Sequence, residues 1–235
     1  QLSKLKKAVI VAHEYPDFDA VGSVLSLHMQ LKRLGKESLI RLPDADPAMF
    51  GFLPQAQDIQ KTIPSDYDFD TLFVLDCSNE GRVKDFEGIG FNKEKMSLIN
   101  IDHHRDNSKF GTINIVMPEI SSVGELLTTA YKELSWPIDS EMATCLFSAM
   151  SYDTGRFSYS NVSANTLSKA AELVDIGADV STISTKMYET FTQDSFEVLR
   201  YALEKLKVNQ AGGYAYTSLP DRKSTRLNSS HLVIS

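Results

Sequence analysis

The stretch Ala8-Val-Ile-Val-Ala-His13-Glu-Tyr-Pro-Asp17-Phe-Asp19-Ala-Val-Gly-Ser23 passes from an unbroken apolar run, through a polar loop, into helical periodicity. A short apolar run without alternation is the pattern of a strand covered on both faces, as in a parallel sheet. The spacing predicts a strand over Ala8–Val11 that ends at His13, then a helix over Ala20–Leu34 closed by Gly35. The succession recurs downstream. Ser38–Leu42 and Thr71–Leu75 read as strands, the second ending at Asp76, and Ser97–Ile101 reads as another, ending at Asp102-His103-His104. Short apolar runs alternating with helical segments indicate an α/β fold with a mainly parallel sheet flanked by helices.

The remaining elements are more helical. Pro47–Leu53 reads as a helical turn, and Ser122-Val-Gly-Glu125 matches a capping box, with Ser121 and Ser122 as caps of a helix to about Leu134. Glu141–Tyr152 is apolar on most sides and reads as a buried helix; Asn165–Ile176 is amphipathic and closed by Gly177. Helices over Val180–Thr190 and Ser195–Lys207 form a helical C-terminal extension, with Tyr214–Leu219 as a strand. From Pro220 the chain is Ser-rich without either period and reads as a non-native or flexible tail. The first residue is Gln rather than Met, so the natural amino terminus is expected to lie upstream.

Composition narrows the function. Of 235 residues 42% are apolar, enough for a real core, and 31 acids against 24 bases give a net charge of −7. A surface that grips long nucleic acid is usually basic. A phosphorylated partner would therefore be held by metal and a local patch. Cys77 and Cys145 sit in apolar runs without metal or redox spacing and read as buried free thiols. The apolar run after the basic start is five residues, too short for a signal peptide, and no stretch is long enough to span a bilayer. A cytoplasmic setting is expected.

The polar residues at the predicted strand ends carry the chemistry. His13, Asp76 and Asp102-His103-His104 all stand where an open parallel sheet gathers its ligands. Imidazoles and carboxylates drawn from distant segments suit a hard divalent pair such as Mn²⁺ or Mg²⁺, and paired ions most often serve phosphoryl transfer. Taken alone, Asp19 reads as an N-cap and Asp17 as a turn residue; His13, four residues before Asp17, gives the loop one imidazole and two carboxylates. Asp153 follows an apolar helix, where the macrodipole disfavours a negative charge. Either a bound cation or Arg156 would compensate it. An adjacent pair such as His103-His104 is by default one buried and one exposed ring, but just past a strand end both can turn into a cleft. His28 and His231 read as ordinary histidines, and Arg82 as a phosphate contact or a solvated loop residue.

These residues, in this order, resemble the DHH phosphoesterase superfamily. The first motif is similar to His13 to Ser23, the second to Asp76 with Arg82, the third to Ile101-Asp102-His103-His104. The fourth is Asp153-Thr-Gly-Arg-Phe157 with an Asn161-to-Thr166 element. The resemblance runs from about Ala8 to Thr190 and is closest to the nano-RNase type, an oligoribonuclease combined with a 3′-phosphoadenosine 5′-phosphate phosphatase. It implies residues 1–190 as the metal-binding catalytic domain, 191–219 as a connecting helix and the start of a second, substrate-gripping domain, and 220–235 as the tail. It implies two divalent ions, Mn²⁺ with Mg²⁺ as the alternative, that activate water. His13 and Asp17 would bind one, Asp19, His103 and Asp153 the other, and Asp76 would bridge them. His104 would face the phosphate and Asp102 would orient the histidines from behind. The expected partner is a short oligonucleotide or nucleoside bisphosphate, with no membrane and a homodimer as an option. Alternatives on the same metal pattern are a cyclic dinucleotide phosphodiesterase, an inorganic pyrophosphatase and a non-catalytic metal- or nucleotide-binding fragment. Phe18 departs from the family's Gly, which implies a differently shaped loop. Lacking the gripping domain, the chain is expected to hold metal and to turn over poorly.

Overall fold

The computed structural model describes residues 5–190, 193–210 and 212–218. The chain divides after Ile183 into two compact units. The first holds β1 (Lys7–Ala12), α1 (Phe18–Arg33), β2 (Glu37–Arg41), α2 (Pro47–Phe50), β3 (Ile59–Gln60), β4 (Thr71–Leu75), β5 (Ser97–Asp102) and β6 (Ile113–Val116). It continues through α3 (Val123–Glu133), α4 (Ser140–Asp153), α5 (Ala164–Ile176) and α6 (Val180–Ser184). All strand pairs of its sheet are parallel, in the order β3-β2-β1-β4-β5-β6. The chain thus starts in the middle of the sheet, runs out to one edge, and returns beside β1 to run out to the other. The reversal falls between β1 and β4, and the crevice outside such a switch point is where open α/β sheets bind ligands.

Val9, Val11, Leu72 and Val74 are almost fully buried and pack with Phe69, Val83 and Leu98 on one face of the sheet. Residues alternate along a strand, so Ala8, Ile10 and Ala12 face the other way, where α1 lies against β1, β2 and β4. Helix α4 packs on α1, and α3 and α5 pack on α4. Packing on both sides buries α1 from Phe18 to Leu31 and α4 from Met142 to Ser151. Close approach of backbones makes this layering possible: a Cβ on Gly22 would run into the Cys145 carbonyl oxygen, and one on Gly124 would lie 2.6 Å from the Ala149 Cβ. Cys77 and Cys145 are buried and free. His28 is a satisfied core histidine, its ring nitrogens on Ser38 Oγ (2.8 Å) and Asp58 Oδ2 (3.3 Å).

The departures from expectation have local causes. Helix α1 begins at Phe18 because Asp17, not Asp19, is its N-cap: Asp17 Oδ1 accepts from the Asp19 and Ala20 amides at 3.0 and 3.1 Å. The capping box at α3 is only half made. Ser122 Oγ accepts the Glu125 amide, but the Glu125 carboxylate turns to Ser121. Strands β3 and β6 are edge strands of two and four residues, too short to show a period. Helix α6 gives way after Ser184 to one π turn over Thr185–Glu189, so the expected helix over Val180–Thr190 is not continuous.

The second unit contains α7 (Gln193–Glu204) and an antiparallel hairpin of β7 (Lys207–Asn209) and β8 (Tyr214–Tyr216). Lys207 therefore belongs to a strand rather than to the expected helix, and the last strand is shorter than Tyr214–Leu219. Leu219, the tail 220–235 and His231 lie outside the described residues. Among the described residues no helix is long and apolar enough to cross a membrane.

A methyl group at Gly22 would push α1 from α4. Gly22→Ala is expected to cost about 1–3 kcal/mol, the usual range for overpacking, read as a lowered urea midpoint. An unchanged midpoint would mean the two helices part freely.

Candidate metal centre

The sheet's register builds the site. Ala12 pairs with Leu75, and Leu75 with Ile101. The next residues, His13, Asp76 and Asp102, therefore stand in one row at the carboxyl ends of three adjacent strands. Asp76 leaves β4 in the left-handed region (φ 51°) while its amide still donates to the Ile101 carbonyl at 2.9 Å. Asp tolerates this conformation better than most residues, but it is still a costly one, of the kind found at functional sites. The turn leaves the Asp76 carboxylate buried, Oδ2 3.5 Å from His13 Nε2 and Oδ1 3.6 Å from His103 Nε2.

Each ring nitrogen is placed by what holds the other. His13 Nδ1 sits 2.7 Å from the Glu14 carbonyl, so it carries a hydrogen, and Nε2 is the nitrogen turned to Asp76. His104 Nδ1 is 2.7 Å from Asp102 Oδ1, which makes Nε2 the nitrogen available to a ligand. The two adjacent rings converge, centroids 4.7 Å apart, and both come within 3.6 Å of Asp76 Oδ1. His103 Nε2 also lies 3.7 Å from Asp19 Oδ2 and 3.1 Å from Asp153 Oδ2. Asp153 is the last residue of α4, and this imidazole is a cation set against its unfavourable place. Asp102 reaches His104 rather than both histidines. Its other oxygen accepts from Asn107 Nδ2 at 2.6 Å.

Three sets of side chains each bring one ligand atom per residue within 4.8 Å of one another: His13, Asp17 and Asp76; Asp19, His103 and Asp153; Asp76, His103 and His104. Within them Asp76 Oδ1 and His103 Nε2 are buried without a hydrogen-bond partner. A carboxylate oxygen and a ring nitrogen that face each other at 3.6 Å without a hydrogen bond, with further carboxylates 3.1 and 3.7 Å from the ring, fit a cation's donor set far better than a core contact. The charges agree. Burial pushes Asp17 up to about 7, with Asp76 and Asp153 adding repulsion. Burial and the same two neighbours raise Asp19 well above the usual carboxylate range, and burial raises Asp153. Burial opposes ionisation of Asp76 too, but the rings of His103 and His13 outweigh it and hold its pKa low. Burial likewise works against charge on His103, and Asp153 and Asp76 overcome it, holding that ring at about 12. Positive charge is the one thing this pocket consistently favours.

Several of these residues have partners that sequence reasoning did not assign to them. Asp19 accepts the Val123 and Gly124 amides at 2.8 and 2.9 Å, at the start of α3, besides Ser23 Oγ. It thus lies at two helix N-termini, where a carboxylate is favoured. Glu125, read as a cap, is instead buried under Ser121, Thr166 Oγ1 and Asn165 Nδ2. Asn161 Nδ2 donates to the Asp153 carbonyl at 3.0 Å and to that of Ser121 at 3.3 Å, tying the end of α4 to the loop before α3. The spacing of Asn161 and Thr166 was the only signal for this bracket. Phe18 is buried, its ring 4.9 Å from Phe50 and 5.6 Å from Tyr152, so it fills an apolar cluster. Arg82 is half-buried, and its carbonyl accepts the Glu14 amide at 2.6 Å, fastening it to the His13 loop.

Comparison with known proteins agrees with this layout. The N-terminal domain of the DHH family matches residues 7–150. The bifunctional oligoribonuclease and PAP phosphatase NrnA of Thermus thermophilus is 32% identical over 179 residues, covering 76% of this chain and 52% of that protein. The protein of the same name from Bacillus subtilis is 28% identical over 185 residues, covering 77% of this chain and 57% of that one. The chain thus spans little more than half the length of these relatives. A crystal structure of an exopolyphosphatase-related protein from Bacteroides fragilis superposes with a TM-score of 0.84 at 27% identity, covering 97% of this chain and 70% of that one. The strand order, the row of strand-end imidazoles and carboxylates and the family match over more than half its length together make this chain a member of the DHH family.

Proposed function

We propose that the chain is the catalytic part of a metal-dependent phosphoesterase that hydrolyses short oligoribonucleotides, 3′-phosphoadenosine 5′-phosphate, or both. The observation that carries this is the Asp76 carboxylate, one oxygen toward His13 and the other toward His103, with Asp17 grouped beside the first ring and Asp19 and Asp153 beside the second. The names of the relatives from Thermus thermophilus and Bacillus subtilis supply the substrate class.

His13, Asp17 and Asp76 would hold one divalent ion, and Asp19, His103 and Asp153 the second, with Asp76 shared. Imidazole and carboxylate donors suit Mn²⁺, with Mg²⁺ as the alternative. Paired cations, when bound, acidify water and balance charge growing on phosphorus. The protein's own residues do the positioning. Asn107 holds Asp102, and Asp102 holds His104, whose pKa it raises. His104 Nε2 would then be fixed in place to meet a phosphoryl oxygen. Arg82, fastened beside the His13 loop, is a further phosphate contact. The free thiols suit a reducing compartment, and a cytoplasmic setting is part of the proposal.

With Mn²⁺ the wild-type chain is expected to release nucleoside monophosphates from a diribonucleotide. Asp76→Ala should lower that rate by about 100-fold or more, beyond the roughly 10–100-fold loss typical of residues that only support metal ligands. A wild-type rate in that variant would contradict the assignment.

A second expectation concerns stability after metal removal by chelation. Asp17 is raised from 3.8 to about 7 in the folded chain. The folded state therefore holds a proton that the unfolded state has lost, and stability falls as pH rises through that window. Asn keeps the α1 cap and never ionises. Asp17→Asn should match the wild type below pH 4 and exceed it at pH 8 by about 1 kcal/mol, or about 2–4 °C in Tm, while weakening Mn²⁺ binding. Equal melting temperatures at pH 8 would mean Asp17 is not strained by its neighbours.

A further inference from the structure

Tyr15 stands between His13 and Asp17 in the left-handed backbone region (φ 50°), yet the residue is 56% exposed. A bulky residue in that conformation is an outlier, and burial of the ring does not explain it. Lys84 Nζ lies 5.8 Å from the ring centroid. Both residues project from a backbone that is tied down. The Glu14 amide donates to the Arg82 carbonyl at 2.6 Å, and the buried Arg41 donates from Nη1 to the Lys84 carbonyl at 2.6 Å. Lys84 and Arg41 line one small cavity with His13, which sets the Lys84 segment directly beside the candidate metal centre. One residue separates Tyr15 from His13 on one side and one from Asp17 on the other, at most about 7 Å of backbone each way.

We propose that Tyr15 and Lys84 form a nucleobase platform: the base of the nucleotide whose phosphate sits at the metal centre stacks on the Tyr15 ring, and Lys84 polarises that ring and attracts the substrate's anionic backbone. This rests on the phosphoesterase reading and adds the subsite that recognises a nucleotide rather than any phosphate ester. The ring is held out by a fixed backbone, so little freedom is lost on stacking. Every base has a π-face, so the platform favours nucleotides over base-free esters without choosing among sequences. A cation beside the ring suits the same ligand, which carries an aromatic group and a negative charge together.

The test compares AMP with ribose 5-phosphate, which carries the same phosphate without the base, as ligands of the Mn²⁺-loaded chain by calorimetry. The wild type is expected to bind AMP about 5-fold more tightly or better, the lower end of what one base–aromatic stack contributes. Tyr15→Ala should remove that preference while ribose 5-phosphate binds as before, and Tyr15→Trp should keep it, with indole fluorescence quenched on addition of AMP. A preference for AMP that survives in Tyr15→Ala, or equal binding of the two ligands by the wild type, overturns the platform and leaves the phosphoesterase reading standing. Failure of the wild type to bind either ligand overturns both.

Discussion

Buried carboxylates repel one another, and in this fold four of them, Asp17, Asp19, Asp76 and Asp153, meet around three imidazoles at the end of one sheet. Three of the four are pushed toward the protonated form by burial. No apolar core gains from such an arrangement, since an unpaired charge out of water costs several kcal/mol. Cations resolve it. The demand for positive charge at this point explains the helix N-termini aimed at Asp19, the high pKa of His103 and the backbone strain at Asp76.

The fold supplies that meeting place cheaply. A parallel sheet whose strand order reverses between β1 and β4 leaves a crevice at the strand ends, and in-register pairing puts His13, Asp76 and Asp102 side by side. The helices then add ligands from two directions. Helix α1 brings Asp17 and Asp19 on its first turn, and α4 brings Asp153 on its last. Gly22 and Gly124 let α1, α3 and α4 approach closely enough for those turns to converge. Behind them, Asn161 and Glu125 fasten α3, α4 and α5 into one bracket, so that ligands from separate helices keep their spacing.

The sheet interior and the clustering of the candidate ligands were legible in the sequence because both rest on strong local signals. Thr71–Leu75 is a strand with the boundaries that its apolar run marks, and the polar residues that stop such runs are the ones that line the crevice. Edge strands β3 and β6 were not legible, since pairing with a neighbour defines them more than their own composition does. Local rules also misjudged residues with two duties. Asp17 caps α1 and faces the metal centre, and the Glu125 carboxylate serves helix α5 instead of its own cap. Choosing between a local and a distant partner needs the tertiary contact itself. Phe18 shows the same limit: as a departure from the family's Gly it suggested an altered loop, whereas its ring packs away among Phe50, Phe52 and Tyr152.

The central claim is that this pocket binds cations as a pair. Titration of the chelator-treated chain with Mn²⁺, followed by calorimetry and electron paramagnetic resonance, tests it most directly. Two ions per chain, spin-coupled through a shared carboxylate, are expected. A stoichiometry of one, or two ions with uncoupled spectra, would contradict a binuclear centre built on Asp76.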